Sequence, residues 1–347
     1  MDTPVQLEIV DGAKAPLVLV VLLNWNSYEE TRTAIESVQR LDYPNFRVLI
    51  VDNGSQDGSA AALKKLTGER VDLLESPINT GYTGGCNLGM ERALAMEAQY
   101  IWLLNNDAVV EPRTLSSLVA IAESDERIGL VTPQIAALQD DRLYFAGGVI
   151  SIEAGIFEDT HDPVVAAELR ERYPDAGLVI GTAMLVRAEV VRRIGMLDPR
   201  FFAYFEDIDY SVRSAKAGFR NVVDPNSVVR HFEKNHNKRP QEIRPHYWYY
   251  MARNESRFWR KHLGFLGSLR LAWQSFNRFL RSRNRLSGRA ESDAILAGLW
   301  DGWRNRGGPY SPQARMPALP TAVVRFYSRR RSLQPTKRAV ESSEIRA

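Results

Sequence analysis

Apolar residues fall in blocks along the first hundred positions, and each block stops abruptly. Leu17 to Leu23 ends in Asn24-Trp25-Asn26-Ser27, and Val48 to Val51 ends in Asp52-Asn53-Gly54-Ser55. Val71 to Leu74 is shorter, and Tyr100 to Leu104 ends in Asn105-Asn106-Asp107. Continuous apolar runs of this length predict strands buried on both faces. Between them, Tyr28 to Leu41, Ala60 to Leu66 and Met90 to Ala98 predict helices, the first with Thr31, Ile35 and Val38 on one face. Strands alternating with helices imply an α/β fold with a parallel sheet and right-handed crossovers. Parallel strands put their carboxyl ends on one edge, where open sheets bind ligands. Asn24 to Asn26, Asp52-Asn53, the glycine-rich stretch Asn79 to Gly89 and Asp107 should therefore converge on one crevice.

The later pattern is less regular. Ile128 to Val131 predicts a strand, and residues 136–178 predict an irregular cover over the crevice. Leu178 to Val186 predicts a strand broken at Gly181-Thr182, followed by a helix from Ala188 to Ile194. Val222-Val223 and Val228-Val229 predict two strands before His231, and the aromatic-rich stretch Tyr247 to Trp259 predicts a helix.

Composition adds bounds. The chain has 347 residues, 44% hydrophobic and 25% charged, a globular balance. Its single cysteine, Cys86, excludes an intrachain disulfide and fits a reducing compartment. No secretory signal is read at the amino terminus, no apolar stretch is long enough to span a bilayer, and no internal repeat or zinc-type cysteine spacing is present. The expected location is cytoplasmic. Residues 264–347 carry 16 Lys/Arg against 5 Asp/Glu, a net of +11, leaving 29 against 37, a net of −8, for residues 1–263. In that basic segment Trp273, Phe276, Phe279 and Leu280 interleave with Arg270, Arg278, Arg281, Arg283 and Arg285. This pattern suits a helix lying on an anionic membrane, or one packed on the protein with a solvated basic face. No nucleic-acid recognition module is readable, so no nucleic acid is expected as a partner.

Several residues carry candidate chemistry. Asp107 either holds a divalent metal against a diphosphate or closes a polar turn ahead of the helix near Pro112. Asp52 either accepts hydrogen bonds from a base or ribose or forms a turn with Asn53-Gly54. The glycines at 81, 84, 85 and 89 precede a helix and allow close backbone approach to a nucleotide, although the stretch is neither G-x-G-x-x-G nor a P-loop. Glu206 and Asp207 lie among Phe201, Phe202, Tyr204, Phe205 and Tyr210, where a carboxylate becomes a tuned acid or base, or else serves a helix amino terminus. Glu206 and Asp209 share a helix face, and Asp207 points elsewhere. His231 is a structural histidine unless the fold brings it to Asp107. Together these parts suit displacement of a nucleoside diphosphate by a hydroxyl, with a metal on the leaving group and a base on the acceptor.

These motifs resemble glycosyltransferase family 2, the inverting enzymes with the GT-A fold. The resemblance rests on Val20 to Asn26, Val51 to Ser59, Asn79 to Gly89, Leu103 to Asp107, Gly181 to Leu185, Phe205-Glu206-Asp207 and His231, in that order. It is closest to a branch of rhamnosyltransferases and related cell-wall or polysaccharide enzymes. It implies that Asn24, Asn26 and Asp52 face the nucleoside, with Asn53 and Asn106 counted in the same donor site. It implies that Asn79, Gly84 and Asn87 line the ribose and diphosphate. Asp107 matches the last position of the family's Asp-x-Asp metal motif, with Asn105 in place of the first Asp. Asp207 matches the catalytic base, with Glu206 beside it, and His231 matches a histidine that joins the metal in some members. The implied donor is a dTDP- or UDP-sugar, the implied acceptor a glycan or polyprenyl-linked hydroxyl, and the implied cofactor Mn²⁺ or Mg²⁺. A sugar nucleotidyltransferase and a non-catalytic nucleotide- or glycan-binding protein are the competing expectations. The expected division is an extension at 1–16, a GT-A domain at 17–260, a basic helical extension at 261–325 that is peripheral to the membrane's inner face, and a disordered tail at 326–347.

Overall fold

The computed structural model describes residues 15–232, 244–283 and 289–313, the side chains of 265–283 and of residue 289 excepted. The extreme amino terminus and the arginine run at 329–331 lie outside the described residues. The chain divides into two compact units, Met1–His236 and Asn237–Ala347. Residues 247–260, expected with the catalytic domain, thus lie in the second unit.

The first unit begins as the apolar blocks predict. Strands β1 (Val18–Asn24), β2 (Phe46–Asn53), β3 (Val71–Ser76) and β4 (Tyr100–Asn105) alternate with helices α1 (Tyr28–Val38), α2 (Ser59–Leu63) and α3 (Gly81–Ala95). There follow β5 (Ala108–Val109), α4 (Thr114–Ser124), β6 (Ile128–Ala137), β7 (Leu143–Phe145), β8 (Gly147–Ser151), β9 (Ile156–Thr160) and α5 (Pro163–Arg172). Then come β10 (Ala183–Arg187), α6 (Ala188–Ile194), α7 (Glu206–Lys216) and β11 (Arg220–His231).

The main sheet runs β3-β2-β1-β4-β10-β6-β11-β5, with β7 beside β6. The β1–β2, β2–β3, β1–β4 and β6–β11 pairs are parallel, while β10 is antiparallel to both neighbours. The architecture is thus α/β with a mostly parallel sheet flanked by helices. Side chains alternate between its two covered faces. Val18, Val20 and Leu22 join one core with Ile35 and Val38 of α1, while Leu19 and Val21 join the other with Cys86 and Met90 of α3.

Three local readings differ. The two strands expected before His231 are one strand, β11, with a register shift between Asp224 and Val228. Pro225 has no amide proton to offer the ladder, which favours an irregularity there. The cover at 136–178 contains a two-stranded sheet of β8 and β9 and the helix α5. Finally, α3 starts at Gly81, nine residues earlier than the helix read at Met90. A Cβ on Gly89 would lie 2.4 Å from Val21 Cγ1. This glycine therefore brings the helix close to β1, and its low helix propensity misled the reading.

In the second unit, α8 (Pro245–Arg283) kinks at Gly264 and packs along α9 (Arg289–Trp303). Buried Arg253 and Arg257 donate to the carbonyls of Gly308 and Arg306 just beyond α9. Among the described residues, no helix is long and apolar enough to cross a membrane.

Candidate functional site

The register of the parallel strands assembles the crevice. Asn24 lies opposite Asp52, and Leu23 opposite Asn105, so three of the expected polar residues sit along one strand edge. Nδ2 of Asn24 donates to Oδ1 of Asp52 at 2.7 Å, and the Ser55 amide donates to Oδ2 at 3.0 Å. Thr31 Oγ1 donates to Asn24 Oδ1 and accepts from Asn106 Nδ2, each at 2.8 Å. The buried Asp52 carboxylate is therefore held at a fixed angle at the end of β2. Asn26 is exposed with a left-handed φ of 51°, and its Oδ1 accepts from the Gln56 amide. These bonds tie the turn after β1 to the turn after β2.

Other expected ligands are used to build the crevice. Asn53 donates to Gly81 O and Asn79 Oδ1 and accepts from the amide and hydroxyl of Thr80. A side-chain amide has two donor hydrogens and two lone pairs, so Asn53 has no capacity left for a nucleotide. Asn87 donates to Leu197 O at 2.9 Å and accepts from Leu197 N at 3.0 Å, clasping the chain ahead of α7. Asn79 Oδ1 also accepts from Gly81 N. Thr83 N donates to Phe202 O. The first turn of α3 is thus bonded to protein groups, and Gly84 lies inside the helix with its Cα against the Thr80 side chain. The turn expected to approach the diphosphate is also a buttress between loops.

At the end of β4 the chain turns through Asn105-Asn106-Asp107 into β5, which pairs with the end of β11. That pairing puts His231 opposite Ala108. His231 Nε2 lies 3.0 Å from Oδ1 of the buried Asp107 and 3.2 Å from Asn105 Nδ2. Its Nδ1 contacts the Tyr144 hydroxyl at 2.7 Å. The fold therefore does bring His231 to Asp107. A carboxylate oxygen and an imidazole nitrogen side by side suit Mn²⁺, and a lone carboxylate suits Mg²⁺ when substrate phosphates complete the shell. Among the described residues, no group of three or more His, Cys, Asp or Glu could hold a metal. The donor set fits a cation shared with a diphosphate. Tyr144 is the outer partner such a histidine needs, and nothing in the sequence marked it.

The carboxylate pair opens α7. Phe202, Tyr204 and Phe205 precede it with φ of 65°, 68° and 71°. Three non-glycine residues in the left-handed region store strain, on the order of 1 kcal/mol or more each. Gly81 permits the arrangement: its φ is 78°, and a Cβ there would lie 2.4 Å from Phe202 O. Asp207 Oδ2 accepts from Gly181 N at 2.9 Å and Oδ1 from Ile208 N at 2.8 Å. Burial pushes the Asp207 carboxyl up, and these two amides oppose that rise. Glu206 is buried, and its Oε2 has no hydrogen-bond partner. Burial first, and then the neighbouring Asp207 charge, push Glu206 well above the carboxylate range. Asp209, on the helix face it shares with Glu206, is buried and pairs with Arg213 at 2.8 Å.

One dipeptide joins the two acidic centres. Gly181 N donates to Asp207, and the next carbonyl, Thr182 O, accepts from Asn105 N at 2.9 Å. The break read at Gly181-Thr182 in the sequence is this bridge.

Comparisons with known proteins place the chain in a family. The model of the family described as Glycosyl transferase family 2 matches residues 19–195. An N-acetylglucosaminyl-diphospho-decaprenol L-rhamnosyltransferase of Mycobacterium tuberculosis is 27% identical over 253 residues, 65% of this chain and 81% of its own. A galactofuranosyltransferase of Mycolicibacterium smegmatis is 26% identical over 212 residues, 58% of this chain and 66% of its own. A solved mannosyltransferase of Pyrobaculum calidifontis, in complex with GDP-Man and Mn²⁺, superposes with a TM-score of 0.48 at 17% identity, covering 84% of this chain and 73% of its own. The family match spans half of the chain and includes β1 to β4, the Asn105-Asn106-Asp107 turn and the Gly181-Thr182 bridge, and the chain belongs to glycosyltransferase family 2, a family of glycosyltransferases.

Proposed function

We propose that this glycosyltransferase moves a hexosyl group, rhamnosyl or a related sugar, from a dTDP- or UDP-sugar to a hydroxyl of a polyprenyl-diphosphate-linked glycan, with inversion. The observation that carries the reading is the Gly181-Thr182 bridge, which ties the Asp207 carboxylate to the strand leading into Asp107. Displacement of a diphosphate by a hydroxyl needs a base on one side of the reacting carbon and charge stabilisation on the other. Asp207 is the base: half-buried, held by two amides and raised by burial toward working pH. Asp52 and the Asn24–Thr31–Asn106 chain receive the nucleoside, while Asn53, Asn79 and Asn87 shape the pocket. Asp107 and His231 hold a divalent cation, which when bound neutralises charge on the leaving diphosphate.

The relatives support the acceptor class, since the rhamnosyltransferase's own name specifies a decaprenyl-diphosphate-linked sugar. The basic stretch with Arg270, Arg278 and Arg281 supports attachment to the anionic face of the membrane, where such an acceptor resides. Its side chains lie outside the described residues.

The test is transfer from dTDP-rhamnose and a small panel of UDP-sugars to a polyprenyl-diphosphate-linked N-acetylglucosamine, with the product's anomeric configuration read by NMR. The reading expects a product of inverted configuration, formed about 100- to 10,000-fold more slowly with Asp207→Asn. Retained configuration, or no transfer from any donor, overturns it.

A further inference from the structure

The stretch Asn79 to Gly89 is the motif that the donor site leaves unexplained. Its polar groups are bonded to protein, yet its first turn touches both segments that flank Asp207. Thr83 N donates to Phe202 O, bracing the strained residues ahead of α7. Tyr82 Oη donates to Gly181 O at 2.7 Å, across 99 residues of sequence. The amide of that same Gly181 donates to Asp207 Oδ2 at 2.9 Å.

We propose that Tyr82 is a positioning residue for transfer, fixing the Gly181 peptide so that its amide holds Asp207 aimed at the acceptor hydroxyl. This inference rests on the reading of Asp207 as the base.

The physical argument is one of orientation. The Gly181 amide and carbonyl belong to the two rigid peptide planes that meet at its Cα, so with the carbonyl anchored by Tyr82 the amide can move only through the φ and ψ of this one residue. Gly181 has no side chain to lock it: a Cβ there would meet only Tyr82 Oη at 3.5 Å and Asp207 at 3.6 Å. The tyrosine hydroxyl supplies the constraint that the glycine lacks. On its other side, the first turn of α3 is bonded to Asn53 and Asn79 behind the nucleoside pocket. One helix turn therefore links the donor pocket to the base. Catalytic groups gain from being held within a fraction of an ångström, and a misplacement of about 1 Å costs about 100-fold.

The titratable groups facing Asp207 are Glu206 on its own helix and Tyr82 from α3, with Cys86 of α3 against Tyr82 and Glu206. Tyr82→Phe removes only a neutral hydroxyl and leaves both carboxyl groups in place. Tyr210→Phe is the matched control. It loses a buried hydroxyl bond from α7 to Gly195 O, 3.1 Å, with no link to Asp207.

The experiment measures kcat, donor affinity and thermal midpoint for the wild type, Tyr82→Phe, Tyr210→Phe and Asp207→Asn. The proposal expects Tyr82→Phe to lower kcat by about 10- to 100-fold, with donor affinity within about twofold of wild type. Tyr210→Phe should lose a similar amount of stability but less than about threefold in kcat. Equal kcat for the two tyrosine variants, with Asp207→Asn inactive, overturns the positioning role and leaves the base reading standing. Turnover retained in Asp207→Asn overturns the base reading and the positioning role with it.

Discussion

His231 Nε2 lies 3.0 Å from Oδ1 of Asp107, although β5 to α7 lie between the two in sequence. Two interactions produce this contact: β11 runs parallel to β6, and its last residues pair with the two-residue strand β5 that follows Asp107. The Tyr144 hydroxyl steadies the far nitrogen of the ring. Tyr144→Phe should therefore weaken Mn²⁺ binding in the presence of a nucleoside diphosphate by about 10-fold, with little loss of stability. Isothermal titration of Mn²⁺ into the nucleotide-saturated variant checks this; unchanged affinity removes Tyr144 from the site.

Glu206 and Asp207 are adjacent carboxylates with opposite expected fates. Burial raises Glu206 well above the ordinary carboxylate value with no amide from another residue to oppose it, whereas the Gly181 and Ile208 amides oppose the rise at Asp207. Asp207→Asn should lower transfer by about 100- to 10,000-fold while donor affinity holds. Glu206→Gln, which keeps the size and polarity of the side chain but cannot accept a proton from an acceptor hydroxyl, should leave most of the activity and the acid limb of the pH profile unmoved. A dead Glu206→Gln enzyme that still folds and binds donor would transfer the base to Glu206.

The same raised group sets a pH dependence of stability. Glu206 has an ordinary pKa near 4.3 when unfolded and a higher one when folded. The folded state thus binds more protons between those two values, so this group makes stability fall as pH rises through that window. Urea denaturation at pH 4.5 and pH 8 should show Glu206→Gln gaining stability relative to wild type at the higher pH. A wild-type-minus-variant difference that is flat with pH contradicts it.

Gly89 offers a test of the buttress helix. Alanine is favoured over glycine in a free helix by about 1 kcal/mol, yet here a Cβ would meet Val21 Cγ1 at 2.4 Å and Cγ2 at 2.8 Å. Val21 is buried and stiff at χ1. Gly89→Ala should therefore destabilise the protein by about 1–3 kcal/mol in urea denaturation. A stabilised variant would mean that α3 stands off from β1.

The crevice was legible because buried strands must stop in something polar, and parallel strands must stop on one edge. That argument finds Asn24, Asp52 and Asp107 without any long-range information. It fails where the same residue types serve the fold. Asn53 and Asn87 look like ligands in sequence, but each has its amide satisfied by backbone or side chain nearby in space. Gly85 and Gly89 carry no local sign that they lie against Leu23 and Val21 of β1, because local propensity cannot register a strand packed against a helix. Tyr144 and Tyr82 carry no local signal, since their partners lie 87 and 99 residues away. The antiparallel insertion of β10 is likewise invisible to a count of alternating strands and helices.

The most direct measurement of the central claim is calorimetric titration of UDP, dTDP and their sugars into the protein, with and without Mn²⁺, for wild type and Asp107→Ala. The account predicts binding of one nucleotide that strengthens with Mn²⁺, and a loss of about 100-fold of that metal-dependent part in Asp107→Ala. Nucleotide binding that is identical with and without metal and indifferent to Asp107 would contradict it.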